Sequence, residues 1–131
     1  DVEIPDEPIM VSVDEVQISR VVTNLLTNAM RHNDQGIRIM LCLFRQEGVI
    51  HLMVADSGSV IPKDLEEHLF EPFARGDASR KSSGGSGLAL SIAKKVVEMH
   101  GWRMKLVQQP QIQHYPFVTK YAKAFLIQIK E

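Results

Sequence analysis

Three stretches of this chain carry side chains whose types and spacing could do chemistry. In Gln17–Asn33, QISRVVTNLLTNAMRHN, the residues Asn24, Asn28 and Arg31 fall at i, i+4 and i+7. On a helix that spacing sets two carboxamides and a guanidinium along one face, where an ordinary solvated face would carry Lys and Glu pairs. A carboxamide oxygen is a hard neutral donor able to share Mg²⁺ with phosphates, and an arginine one turn on can offset phosphate charge. In DSGSVIP, Asp56 follows directly on an apolar run. A carboxylate there is costly unless it receives hydrogen bonds, such as those of an adenine amino group. In GSGLAL, Gly85 and Gly87 open a helix-like segment. Glycines so placed let backbone N–H groups approach an anion beside the positive end of the helix. Taken singly, GSGLAL reads as phosphate loop or helix-packing glycine with nearly equal weight, and it is not a Walker loop, since no Gly-Lys-Ser/Thr follows.

The elements that must position these groups follow from periodicity. Two short β-like pieces, around Val2–Ile4 and Ile9–Val13, are punctuated by Pro5 and Pro8. Asp14 is a good N-cap, with Gln17 completing a capping box, for a helix running to about His32. Its apolar stripe is Ile18, Val21, Val22, Leu25, Leu26 and Ala29, and Asn33-Asp34-Gln35-Gly36 ends it. From Ile37 the period becomes two, Glu47-Gly48 turns the chain, and Val49–Ala55 returns as the second strand of an antiparallel hairpin. Pro62, at the first helical position, opens a short helix to about Phe70. Glu71–Gly87 is rich in Gly, Ser, Arg and Lys and reads as a mobile loop. It leads into a helix over Leu88–His100, with Leu88, Ile92, Val96 and Met99 as the expected core stripe and Gly101 as its stop. Trp102–Val107 and Ala124–Ile129 alternate as a second strand pair, and the long Gln108–Lys123 connection between them gives no functional signal. The expected fold class is α/β: a two-layer sandwich, not a doubly wound parallel sheet, with a mixed, mostly antiparallel sheet and three helices on one face.

Bulk properties exclude several classes. At 131 residues the sequence is expected to form a single domain spanning 1–131. A formal net charge of −1 leaves no electrostatic footprint for nucleic acid or anionic membrane. No apolar run approaches the roughly 20 residues needed to cross a bilayer. The single cysteine, Cys42, excludes an intramolecular disulfide and suits a reducing compartment.

Four motifs in register bring a family into view. NLLTNAMRHN resembles the N box of sensor histidine kinases, and DSGSVIP their first glycine box, usually DxGxGIP. EPFARGDASR is similar to the F box and the start of the ATP lid, and GSGLALSIAKKVVEMHG to the second glycine box, usually GxGLGL, with its helix. Nearly the whole chain resembles the catalytic and ATP-binding domain of bacterial two-component sensor kinases, in the GHKL ATPase superfamily, with its Bergerat fold. The resemblance implies ATP and Mg²⁺ as cofactors and transfer of the γ-phosphoryl group to a histidine. Asn28 would be the metal ligand, with Asn24 beside it, and Arg31 and His32 near the phosphates. Asp56 would read the adenine amino group, and Gly58 would let the chain pass close to the base. Ile61 and Phe73 would wall the pocket or anchor the lid, and Arg75, Arg80 and Lys81 would be lid cations. Gly85, Gly87 and Leu88 would meet the nucleotide at the start of the last helix.

Gyrase-type members of the superfamily place a water-activating Glu four residues before the metal-binding Asn. Here that position is Asn24, which is no base at neutral pH, so slow ATP hydrolysis is expected. Val60 and Ala89 stand where the family's boxes have glycine. A β-branched residue at 60 disfavours positive φ, which argues for weakened nucleotide binding. None of the five histidines precedes a long amphipathic helix pair. The dimerisation and phosphoacceptor domain, with any membrane anchor, is therefore expected upstream, in a longer kinase of which this is a monomeric, cytoplasmic piece. Its partners would be that domain and a downstream response regulator, with no nucleic acid. The alternative reading is a degenerate ATP-binding module acting by protein docking.

Overall fold

A computed structural model describes residues 2–4, 15–31, 36–71 and 89–130. The strands are β1 (Val2–Glu3), β2 (Ile39–Gln46), β3 (Val49–Asp56), β4 (Arg103–Gln108) and β5 (Lys123–Lys130), and the helices are α1 (Glu15–Arg31), α2 (Lys63–Glu66) and α3 (Ala89–Met99). The five strands form one sheet in the order β1-β2-β3-β5-β4. β1 runs parallel to β2 and every other pairing is antiparallel, as expected for a mixed, mostly antiparallel sheet. Residues 9–13, Asp14 and Asn33–Gln35 lie outside the described residues.

Local chemistry sets the turns. Glu47 and Gly48 take φ of 54° and 77° between the paired residues Gln46 and Val49, so positive φ at both central positions matches the right-handed twist of the hairpin. At the end of α3, Trp102 N–H donates to Val97 O at 3.2 Å and Gly101 N–H to Glu98 O at 2.9 Å. This pair of bonds around Gly101 (φ 78°) is a Schellman closure, and it sends the chain back along the sheet as β4. Pro62 sits one position earlier than expected, as the N-cap of α2, with φ −57° and ψ 147°.

The core lies between one sheet face and the helices. Val21 and Leu25 of α1, Ile50 and Val54 of β3, Phe125 and Ile127 of β5, and Leu90, Ala93 and Val97 of α3 form it. The α1 stripe is as expected, with Val21, Leu25 and Ala29 buried and Ile18, Val22 and Leu26 flanking them. The α3 stripe differs. Leu90, Ala93 and Val97 face inward, while Ile92 and Met99 are 50% and 77% exposed. This helix carries apolar residues on more than one side, so two i, i+4 series compete. Packing selects the one whose centre is Ala93, small enough for close approach of the helix.

The other sheet face is covered as well. The connection after β4 folds through a 3₁₀ turn at Gln111–His114 and places Ile112, Val118 and Tyr121 against Cys42, Phe44, Met53, Ala55, Ala124 and Leu126. Gln109 fastens it from within, its amide donating to Thr119 O at 2.9 Å and Tyr121 O at 2.8 Å. The segment that gave no signal in sequence is thus the second face's cover.

Candidate functional site

The register of β3, β5 and β4 aligns Asp56 with Lys123 and Lys123 with Gln108. All three side chains leave the helix-facing side of the sheet, since they share parity with Val54, Phe125 and Leu106 of that core. They form a polar row across three strand ends, and each is buried: Asp56 is 1%, Lys123 5% and Gln108 6% exposed. Such groups persist in a core only when their hydrogen bonds are met. Lys123 Nζ donates to Asp56 Oδ1 at 2.8 Å and to Ser59 O at 2.6 Å. Gly58 N–H donates to the same Oδ1 at 3.0 Å, closing an Asx turn. Gln108 clamps the backbone of Ile61 from both sides, accepting from its N–H at 2.6 Å and donating to its carbonyl at 3.1 Å. Ser57 is tied to the start of β2, accepting from Arg38 N–H at 2.7 Å and donating to Arg38 O at 3.0 Å. Every residue of Ser57–Ile61 except Val60 is therefore held by a hydrogen bond reaching outside the segment.

This arrangement bears on the backbone at Val60. Among the described residues the non-glycine positions with positive φ are Glu47 and Phe117, so Val60 carries no left-handed strain. Its side chain is 48% exposed. With Ile61, Lys105, Gln109 and Tyr115 it lines an open groove of about 820 Å³ beside edge strand β4.

Topology brings the described parts of α1 and α3 to this end of the sheet. Residues 32–38 connect the C-terminal end of α1 to Ile39, which pairs with Asp56. That brings the Asn28 and Arg31 end of α1 to the end of β3. The reversal at Gly101 makes α3 run back along β4, so its N-terminal end, which follows the glycine box, lies at the Gln108 end. Asn24 and Asn28 are both half-buried on α1, beside the buried Leu25 and Ala29. The candidate site therefore comprises a helix with amide side chains, a buried acidic strand end with its fixed loop, and the start of a second helix. His32, Phe73, Arg75, Arg80, Lys81, Gly85, Gly87 and Leu88 lie outside the described residues, as does the side chain of Arg31.

Phe70 marks where the segment after α2 enters the core. It packs edge-on to Phe125 with centroids 6.1 Å apart, and Lys94 Nζ of α3 lies 4.8 Å from its ring centroid. Lys123 and Gln108 were invisible in the sequence reading. A lone Lys in an alternating strand and a Gln at the edge of a long connection carry no local signal, and only strand register places them beside Asp56.

A two-layer α/β domain with this strand order and a site at one end of its sheet defines a class of nucleotide-handling modules. Residues 13–123 match the family of histidine kinase-, DNA gyrase B-, and HSP90-like ATPases, and the chain belongs to that family. It is 39% identical over 108 residues to the alginate biosynthesis sensor protein KinB of Pseudomonas aeruginosa, covering 82% of this chain and 18% of that protein. It is 37% identical over 109 residues to the probable sensor histidine kinase TcrY of Mycobacterium tuberculosis, covering 82% of this chain and 23% of that one. Among solved structures, the mycobacterial sensor histidine kinase MprB superposes with a TM-score of 0.78 at 29% identity, over 98% of this chain and 82% of that one. The chain thus spans about a fifth of the length of these two curated relatives.

Proposed function

We propose that this chain is the catalytic domain of a sensor histidine kinase. In that reading it binds ATP with Mg²⁺ and donates the γ-phosphoryl group to a histidine on a separate dimerisation domain. The observation that carries this is the buried carboxylate of Asp56, fixed at the strand end where the amide-bearing end of α1 and the N-terminal end of α3 converge. Among the described residues both contacts of that carboxylate go to Oδ1, which leaves Oδ2 as the acceptor for an adenine amino group. The donor chemistry also fits a magnesium nucleotide: Asn28 would hold the metal through its amide oxygen and Arg31 would face the phosphates. Bound there, Mg²⁺ would supply charge neutralisation to a transfer that otherwise consists of positioning. Lid cations Arg75, Arg80 and Lys81, and the backbone of Gly85 and Gly87, complete the proposed phosphate contacts.

Asn24 occupies the place where a hydrolytic relative would need a base, so the domain transfers phosphate to a positioned histidine and turns over water slowly. The acceptor domain, a response regulator downstream and a membrane anchor elsewhere in the protein complete the proposed assembly. Among the described residues no helix is long and apolar enough to cross a membrane.

Titration of the chain with ATP and Mg²⁺, with Asn28→Ala and Asp56→Asn as controls, tests the site. Loss of binding in both folded variants supports it, whereas indifference in either breaks it. One observation favours a second reading: Asp56 already holds an internal cation, as it would in a degenerate module that works by docking. Failure of the unaltered chain to bind nucleotide at millimolar concentration would decide for that module.

A further inference from the structure

The ammonium of Lys123 is more than a strut for Asp56. An ammonium group has three N–H donors. Two are used, on Asp56 Oδ1 and Ser59 O. Lys123 is 5% exposed, and among the described residues the third N–H has no acceptor. A buried charge with an unused donor is expensive, because burial strips the water that would otherwise occupy it. The side chain leaves the helix-facing side of the sheet, at the end where α1 and α3 converge and next to the carboxylate assigned to the base. Oδ1 of Asp56 is engaged by Lys123 and Gly58, so among the described residues the pair presents one free acceptor, Oδ2, beside one free donor, the third N–H of Lys123. The Watson–Crick edge of adenine presents the complement, with the 6-amino donor next to the N1 acceptor.

We propose that Lys123 is a base-reading residue, its ammonium donating to the ring nitrogen N1 of adenine while Asp56 accepts from the 6-amino group. This rests on the assignment of Asp56 to the base. The floor then recognises a donor–acceptor pair and not an amino group alone. A 6-oxo purine fails twice, setting its carbonyl oxygen against the carboxylate and its N1–H against the ammonium.

The test compares ATP, its 1-deaza analogue, in which N1 is replaced by C–H, and inosine triphosphate, each titrated with Mg²⁺ by calorimetry against the chain. The unaltered chain should bind ATP about 10- to 100-fold more tightly than the 1-deaza analogue, the value of one charge-assisted hydrogen bond. Inosine triphosphate should bind more weakly still. Lys123→Met should collapse the ATP to 1-deaza ratio to within about threefold, and Lys123→Arg, which keeps a cationic donor, should preserve it. A merely structural Lys123 would change all affinities together and leave the ratio unmoved. Equal binding of ATP and the 1-deaza analogue by the unaltered chain overturns the proposal, even if Lys123→Met does not fold. So does a ratio that survives Lys123→Met, or inosine triphosphate binding as tightly as ATP. Binding of none of the three overturns the nucleotide-site reading itself, and the Lys123 assignment with it.

Discussion

Replacing Gln108 by Leu isolates what the clamp on Ile61 contributes. The substitution keeps roughly the same volume on the helix-facing side of β4, so no large cavity forms, but it removes both bonds to the Ile61 backbone, at 2.6 and 3.1 Å. Each neutral hydrogen bond contributes about 1 kcal/mol net, and an unpaired group left buried costs somewhat more. Ile61 is half-buried, so water recovers part of the loss. The expected destabilisation is about 2 kcal/mol, or roughly 30-fold in the equilibrium between the fixed and released segment. For a domain of this size that lowers Tm by about 4–10 °C. Urea denaturation gives the first number, and hydrogen exchange at the Ile61 amide gives the second, because that N–H has the Gln108 side chain as its partner. A loss below about 0.5 kcal/mol together with unchanged protection at Ile61 would refute the clamp.

Three further outcomes are expected. His51 is buried, stacks on Phe44 at 5.0 Å, and among the described residues has no hydrogen-bond partner for Nδ1, and burial, aided by Lys105, lowers its pKa below the ordinary 6.5. The unfolded chain therefore binds the proton first, so this histidine's stability contribution is present above pH 6.5 and is lost as the pH falls below it; denaturation across that range should show a steeper acid loss in the native chain than in His51→Phe. Gly101→Ala meets no atom within 4 Å but must adopt φ of 78°, so it should cost about 1–2 kcal/mol by urea denaturation, with Asn at that position costing less. Val60→Gly should leave nucleotide affinity, read by calorimetry, no tighter than before, because Val60 is exposed and free of positive φ, and should lower stability by about 0.5–1 kcal/mol through added chain entropy.

The sequence by itself determined the two long helices, the two strand pairs, their turns and the family, although the helix expected to reach Phe70 ends at Glu66. The stripe of α1, the Glu47–Gly48 reversal and the stop at Gly101 are legible because each depends on residues within a few positions of one another. The four boxes are legible for the same reason, since each is a short run whose residue types suit one task. Where local pattern was ambiguous, the reading failed. α3 carries two apolar series, and packing against α1 and the sheet chose Leu90, Ala93 and Val97 over Ile92 and Met99. The positive φ that would strain a β-branched residue at 60 is absent, because the segment is anchored on either side through Ser59 and Ile61.

Only the tertiary structure decided the floor of the site. Asp56 and Lys123 are 67 positions apart, and Ile61 and Gln108 are 47 apart. No periodicity reaches across such distances. They meet because β5 inserts between β3 and β4 in a register that the buried faces of all three strands enforce, where a slip of one residue would turn every core side chain toward the wrong face. The same register gives the Gln108–Lys123 connection its place as cover for the second sheet face. Chemistry-bearing residue types could be read singly from the chain; the ammonium that stands beside the carboxylate could be found only once the strands were laid side by side.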